Sequence, residues 1–310
     1  MKPDVLALGS FPEATWTELA RRFSVHRYQA LPSPESLPPE LALRIRAIAT
    51  EANRGANRQL IGILPRLEVI SVFGVGVDAV DLDAAQERGI PVTNTPGILA
   101  DEVADFAIGL MLASARQILI GDRFVREGQW MMGPIGLGRS VRAKTMGVLG
   151  LGAIGRAIAQ RGAAFGMRVL YSGPRPKPDV AYPYVSEVRE LARQSDYLMV
   201  ACKGGPETRH LVSARVIDAL GPNGTLINVA RGSVVEELAM IEALARGRLG
   251  FAALDVFENE PNVSEELLAL PNVIVQPHQG SATTETRTAM GQMMIDNISM
   301  RLAGEPKPIE

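Results

Sequence analysis

A single cysteine, Cys202, stands in this chain of 310 residues, which rules out an internal disulfide and fits a reducing compartment such as the cytoplasm. Charge of either sign is not in excess: 32 Lys and Arg against 34 Asp and Glu leave a formal net charge of -2. No global basic field therefore favours nucleic acid or an anionic membrane, and an anionic small ligand needs a local basic pocket. Long hydrophobic runs are lacking as well. The most apolar helix-like stretch, Phe106 to Ala115, is closed by Asp105 and Arg116, well short of the roughly 18 residues of a membrane span, and reads as a buried helix. The apolar stretch within Met1 to Gly9 is too short for a signal peptide and reads as a first strand. Internal repeats, low-complexity tracts and a tail long enough for an interaction arm are not found. Histidine is scarce: of three, His26 and His210 lie among polar neighbours and read as surface residues, which leaves His278.

What is present alternates between strand and helix patterns, the mark of a parallel α/β architecture, with length enough for two domains. Val5 to Leu8, Ala47 to Thr50, Glu68 to Phe73 and Pro91 to Asn94 read as short strands. Leu31 to Pro39 holds Pro32, Pro34, Pro38 and Pro39 and reads as a surface loop. Asp101 to Ser114 is expected as a long helix crossing from one domain to the next. A second run of strands follows at Thr145 to Leu149, Arg168 to Tyr171, Tyr197 to Ala201, Thr225 to Val229, Phe251 to Asp255 and Val273 to Gln276, and Glu285 to Leu302 closes the pattern as a helix. Gly304-Glu305-Pro306-Lys307-Pro308 then ends regular structure.

Gly150-Leu151-Gly152-Ala153-Ile154-Gly155 sits between the strand Thr145 to Leu149 and a helical stretch, Arg156 to Phe165. In a dinucleotide-binding loop the first glycine makes the tight turn, the second lets the backbone approach a pyrophosphate and the third lets the helix pack on the strand. The helix start offers unpaired N–H groups and a positive dipole end to the phosphates. An enzyme for NAD usually places an acid after the second strand to bind the ribose 2′-hydroxyl. Here Ser172-Gly173-Pro174-Arg175-Pro176-Lys177 follows and no acid appears before Asp179, so Ser172, Arg175 and Lys177 are candidate contacts to a 2′-phosphate. NADP(H) is favoured, with NAD(H) the alternative.

Three later strands each end on one chemically competent side chain: Arg231 in Asn228-Val229-Ala230-Arg231-Gly232, Glu260 after Asp255-Val256-Phe257, and His278 in Pro277-His278-Gln279-Gly280-Ser281-Ala282. Hydride transfer to a ketone builds negative charge on oxygen, so a proton donor must sit beside it. His278 held by Glu260 fits that part. Arg231 is able to grip a carboxylate through its planar fork and polarise the adjacent carbonyl. The pattern is the equipment for reducing a 2-oxo acid, and no metal is called for.

With these residues in view, the chain resembles the D-isomer-specific 2-hydroxyacid dehydrogenases over nearly its whole length, and most of all their NADPH-dependent glyoxylate/hydroxypyruvate and hydroxyphenylpyruvate reductases. Phe73-Gly74-Val75-Gly76-Val77-Asp78, Thr93-Asn94-Thr95-Pro96, Gly150 to Gly155, Asn228 to Gly232, Ala253 to Phe257 and Pro277 to Ala282 look like the family's signatures. The resemblance implies two Rossmann-like parallel-sheet domains with a cleft between them: a flavodoxin-like substrate domain of residues 1–97 plus 284–310, and a dinucleotide-binding domain of residues 98–283. It implies Arg231, Glu260 and His278 as the catalytic set and backbone N–H groups of Val75 and Gly76, with Arg231 and His278, as substrate contacts. Gly150, Leu151, Gly152, Ala153, Ile154, Gly155, Ser172, Gly173, Pro174, Arg175, Cys202, Thr208, Val229, Asp255 and Gly280 would line the cofactor, Asp255 holding the nicotinamide amide. A cytoplasmic homodimer is implied, with Asp101 to Ser114 and Trp130 to Ile135 resembling its arm. Gln279 after His278 also resembles NAD-dependent formate dehydrogenases, but these lack a glutamate where Glu260 stands. The expected activity is reduction of glyoxylate or hydroxypyruvate by NADPH to a D-2-hydroxy acid. The alternatives are an aryl-pyruvate such as hydroxyphenylpyruvate as substrate, or a non-catalytic nucleotide-sensing protein of the same fold.

Overall fold

The computed structural model describes residues 2–28 and 37–304. Most of the proline-rich loop, Leu31 to Ser36, and the last six residues, 305–310, lie outside the described residues. Contacts between Cα atoms divide the chain into two compact units, Met1–Ile98 with Thr283–Glu310, and Leu99–Ala282.

In the first unit the strands are β1 (Asp4–Leu8), β2 (Ser24–Tyr28), β3 (Ile45–Glu51), β4 (Val69–Phe73) and β5 (Val92–Thr93), and the helices α1 (Glu13–Arg22), α2 (Pro39–Ala42), α3 (Arg58–Ile63) and α4 (Leu82–Glu87). All pairings are parallel and the order is β2-β1-β3-β4-β5, which is the flavodoxin-like order. The central strands are covered on both faces, so Val5 to Leu8 and Val69 to Phe73 are buried residue by residue, as parallel sheets require. Pro39, read as the end of a loop, instead opens the short helix α2, where a missing N–H costs nothing. Strand β2 was not expected from the sequence. Its SVHRY is polar enough to read as coil, and it forms because it lies at the sheet edge, half covered.

The second unit carries α5 (Ala100–Ala115), α6 (Ile118–Arg126), β6 (Thr145–Leu149), α7 (Ala153–Ala164), β7 (Arg168–Ser172), α8 (Val188–Arg193), β8 (Tyr197–Val200), α9 (Ala214–Leu220), β9 (Thr225–Asn228), α10 (Glu237–Ala245), β10 (Phe251–Leu254), α11 (Glu265–Leu268) and β11 (Val273–Val275). The chain then returns to the first unit as α12 (Thr284–Leu302), which packs on β4. The sheet order is β11-β10-β9-β8-β6-β7, again parallel throughout. A single parallel bridge from Tyr184 to Tyr171 adds a vestigial strand outside β7. With it counted, the order around β6 is that of the Rossmann fold. Helix α5 lies wholly in this unit and buries Val103, Ala104, Ala107, Ile108, Leu110 and Met111, so Asp101 to Ser114 is core and neither a crossing between units nor an exposed arm. Among the described residues no single helix is long and apolar enough to cross a membrane.

Candidate active site

Six parallel strands place six carboxyl ends on one edge of the second sheet. From that edge leave Gly150 after β6, the 172–177 loop after β7, Cys202 after β8, Arg231 after β9, Asp255 after β10 and His278 after β11. Ligands of open α/β sheets bind at this edge, where the strand order turns about β6.

The glycine loop meets the steric demands of a dinucleotide. Gly150 has φ +94°, and a Cβ there would lie 2.5 Å from the Cys202 Cα. At Gly155 a Cβ would lie 1.9 Å from the Gly150 carbonyl oxygen, so only glycine lets α7 start so close to the turn. Around Gly152 nothing lies within 4 Å of the Cβ position, leaving room for a ligand against the first turn of a 12-residue helix. Leu151 is buried beneath the loop, while Ala153 and Ile154 form the helix start.

After β7 the picture is more selective. Ser172 is 1% exposed, and its carbonyl accepts the Gly150 N–H at 2.9 Å, so it shapes the turn from inside the sheet. Gly173 accepts a hydrogen bond from the Tyr184 hydroxyl at 2.9 Å, and the Lys177 N–H donates to the Tyr171 hydroxyl at 2.6 Å. These bonds pin both ends of the Gly173 to Lys177 loop, with Pro174 and Arg175 exposed between them. Asp179, the first acid after the strand, is engaged by Arg156 at 2.8 Å.

Cys202 is half-buried, and burial pushes its thiol up to about 11, so it is a small protonated side chain under the Gly150 turn. The Thr208 hydroxyl donates to the Lys203 carbonyl at 2.8 Å and closes the loop after β8. Val229 is buried at the end of β9.

His278 and Glu260 meet directly: His278 Nδ1 is 2.8 Å from Glu260 Oε2. Glu260 Oε1 accepts the Phe257 N–H at 3.1 Å, which fixes the carboxylate across its own loop. Burial pulls the Glu260 carboxyl upward, but the hydrogen bond and charge of His278, the Phe257 N–H and the charge of Arg231 together hold it below the usual carboxylate value. An ionised carboxylate only accepts, so Nδ1 carries the proton and Nε2 is left for chemistry.

The backbone of His278 is left-handed, φ +56°, a conformation that costs a residue with a side chain about 1–3 kcal/mol and persists only where the surroundings over-determine it. Asp255 does so. Its carbonyl accepts the His278 N–H at 2.9 Å, and its side-chain oxygens accept the N–H groups of Gln279 at 2.6 Å and Gly280 at 2.8 Å. Asp255 is 3% exposed; burial raises its carboxyl, and the two N–H groups offset part of that. Expected from resemblance as a cofactor contact, Asp255 also has this structural task. Gly280 is packed so tightly that a Cβ would lie 2.9 Å from Asp255 Oδ2.

Arg231 is supported by a residue that sequence reasoning passed over. Buried Asn228 accepts the Ala230 N–H through Oδ1 at 3.0 Å and donates through Nδ2 to the Arg231 carbonyl at 2.9 Å. Next to Arg231, a Cβ on Gly232 would lie 1.9 Å from the Phe257 carbonyl carbon and 2.3 Å from the Glu258 nitrogen. The arginine loop and the Glu260 loop are thus in backbone contact. The second loop is braced further: the Glu258 N–H donates to Glu237 Oε2 at 3.0 Å, and Arg209 Nη2 and His210 Nε2 both lie 2.9 Å from Glu258 Oε1. His210, with φ +51°, is a surface residue that serves as a strut through Glu258, and His26 is likewise engaged, 2.7 Å from Asp4 Oδ1. Val75 and Gly76 belong to the first unit, in the turn after β4. Among the described residues no group of three His, Cys, Asp or Glu side chains is placed to hold a metal ion.

Residues 108–280 match the family model described as D-isomer specific 2-hydroxyacid dehydrogenase, NAD binding domain. The chain is 47% identical over 288 residues to a glyoxylate/hydroxypyruvate reductase A of Arabidopsis thaliana, covering 93% of this chain and 92% of the relative. It is 46% identical over 289 residues to a hydroxyphenylpyruvate reductase of Plectranthus scutellarioides, with the same coverage. Its fold superposes with a TM-score of 0.93 on an NADPH-dependent glyoxylate/hydroxypyruvate reductase of Sinorhizobium meliloti in complex with NADP and malonate, 38% identical over 98% of this chain and 94% of that one.

Proposed function

Since the chain belongs to the D-isomer-specific 2-hydroxyacid dehydrogenase family, we propose that it is an NADPH-dependent reductase of small 2-oxo acids, glyoxylate and hydroxypyruvate among them, giving D-2-hydroxy acids. The observation that carries this reading is the His278–Glu260 pair, 2.8 Å apart on the sheet edge that also bears the dinucleotide loop. Bound at that loop, a reduced nicotinamide supplies the hydride. Every other task falls to side chains and backbone. Arg231 takes the substrate carboxylate and polarises the neighbouring carbonyl; the backbone N–H groups of Val75 and Gly76 are the further proposed substrate contacts. His278, with Nδ1–H held by Glu260, donates its Nε2 proton to the oxygen that gains charge and is left neutral. The carboxylate compensates the imidazolium before transfer and keeps the ring oriented during it.

Arg175, exposed on a loop pinned at both ends, is the proposed contact to the 2′-phosphate, and the pairing of Asp179 with Arg156 supports that choice over a ribose-binding acid. The first unit is proposed as the substrate-binding domain and the second as the cofactor-binding one. We also propose a cytoplasmic homodimer. The lone thiol fits the compartment. The dimer is supported by an exposed apolar ridge: Ile118, Leu119, Ile120 and Val125 on α6, no residue of which is buried, and Trp130, Met131 and Met132 beside it, 69%, 93% and 89% exposed. Exposed apolar side chains gathered on one helix and the turn beside it suit an interface between two copies.

The test follows NADPH and NADH absorbance with glyoxylate, hydroxypyruvate, pyruvate and phenylpyruvate. Rapid NADPH oxidation with the small acids is expected. Faster oxidation of NADH overturns the cofactor preference, and no oxidation with any acid overturns the reductase.

A further inference from the structure

The turn Gly74-Val75-Gly76 after β4 is held by the segment that follows β5. The Thr95 N–H donates to the Gly74 carbonyl at 2.9 Å, and the Asn94 side chain donates through Nδ2 to the Val75 carbonyl at 2.8 Å. In a trans peptide the C=O and the N–H of one plane point in opposite directions. Gripping the Gly74 oxygen therefore turns the Val75 N–H away from the β5 side, and gripping the Val75 oxygen does the same for the Gly76 N–H. Two consecutive planes are aimed by two consecutive residues. Among the described residues neither freed N–H donates to a protein acceptor, whereas the preceding Gly74 N–H donates to the Val72 carbonyl at 3.1 Å. Two neighbouring donors turned the same way form an anion-binding concavity. Asn94 is itself fixed from behind: buried Asn297 on α12 donates through Nδ2 to its carbonyl at 3.1 Å.

We propose that Asn94 is a positioning residue for substrate, aiming the Val75 and Gly76 N–H groups at the carboxylate of the 2-oxo acid, with Asn297 holding Asn94 in place. The inference rests on the reductase reading above. It assigns Asn94 no contact with the reacting atoms: the side chain works through the Val75 carbonyl alone. Loss of the amide frees the Val75–Gly76 plane to rotate, and one charge-assisted hydrogen bond to the substrate is lost on average. An effect of about ten- to hundredfold on KM for the 2-oxo acid is the scale of such a bond. Neither kcat nor NADPH affinity depends on it to a comparable degree, because His278, Glu260 and the dinucleotide loop lie on the other unit's sheet.

The experiment compares the unchanged protein with Asn94→Ala and Asn94→Leu, the latter filling the amide's volume without a donor. KM for glyoxylate and hydroxypyruvate, kcat, the Kd of NADPH and the Kd of oxamate for the NADPH complex are measured. The expected result is a KM and an oxamate Kd raised at least tenfold in both variants, kcat within about threefold and the NADPH Kd unchanged, with a smaller shift of the same kind in Asn297→Ala. Unchanged KM and oxamate affinity in both Asn94 variants overturn the proposal, as does a parallel weakening of NADPH binding, which marks general damage. A chain that turns over no 2-oxo acid before mutation removes the reductase reading instead, so the two failures are distinguishable.

Discussion

Gly232→Ala tests whether the arginine loop and the glutamate loop hold each other in register. A Cβ on this residue lies 1.9 Å from the Phe257 carbonyl carbon and 2.0 Å from its oxygen, against 3.4 Å for ordinary contact. The obstacles are backbone atoms of a loop whose neighbours are pinned by Glu237 and Glu260, so no side chain can swing aside. The loops must part by about 1 Å or more, and displacement on that scale between catalytic groups costs on the order of 100-fold in rate. Overpacking also lowers stability by about 1–3 kcal/mol. Steady-state kinetics with NADPH and glyoxylate should show kcat/KM reduced about 100-fold. NADPH binding, followed by fluorescence, should be little changed, since the glycine loop leaves a different strand. A kcat/KM within threefold of the parent, from a variant of unaltered Tm, refutes the reasoning: it means that the two loops move freely past each other.

Removal of the proton donor in His278→Ala is expected to abolish turnover while NADPH still binds in an equilibrium titration; an active variant ends the role assigned to that ring. For Glu260, the folded carboxyl lies below its ordinary value of 4.5, so its contribution to stability is complete above that pH and is lost as pH falls through the lower folded value. The Tm advantage of the parent over Glu260→Gln should therefore shrink only in acid, and a gap independent of pH between 3 and 7 counts against the ion pair. Arg175→Ala should raise KM for NADPH about tenfold and leave KM for NADH nearly unchanged, the scale of one charge-assisted phosphate contact. Equal effects on both nucleotides would deny it the 2′-phosphate.

Central parallel strands and the glycine loop were legible because their signals are local: a covered strand is apolar throughout, and a phosphate turn needs glycine at fixed spacing. Ser24 to Tyr28 escaped because an edge strand takes polar side chains on its open face, and Tyr184 because one bridge leaves no periodicity. The reactive trio, Arg231, Glu260 and His278, was readable as single polar residues following apolar runs. What held them was not. Asp255 works through backbone N–H groups 24 and 25 residues further on, and composition carries no trace of that. Gly232 looks like a turn residue until the Phe257 peptide is set against it. The polar neighbours Thr208 and Arg209 mark His210 as a surface residue, but its partner Glu258, 48 residues on, has no local signal.

The Gly150 turn rests on the chain's only thiol, and that thiol is almost wholly in its protonated, unreactive form at neutral pH. The reactivity of this half-buried thiol is thus set by how closely the phosphate turn covers the end of β8. Its rate of reaction becomes a clock for local opening at the nucleotide loop, read without any engineered label. Slowing of that clock by NADPH would measure, in time rather than affinity, how firmly the bound nucleotide closes the loop over the sheet.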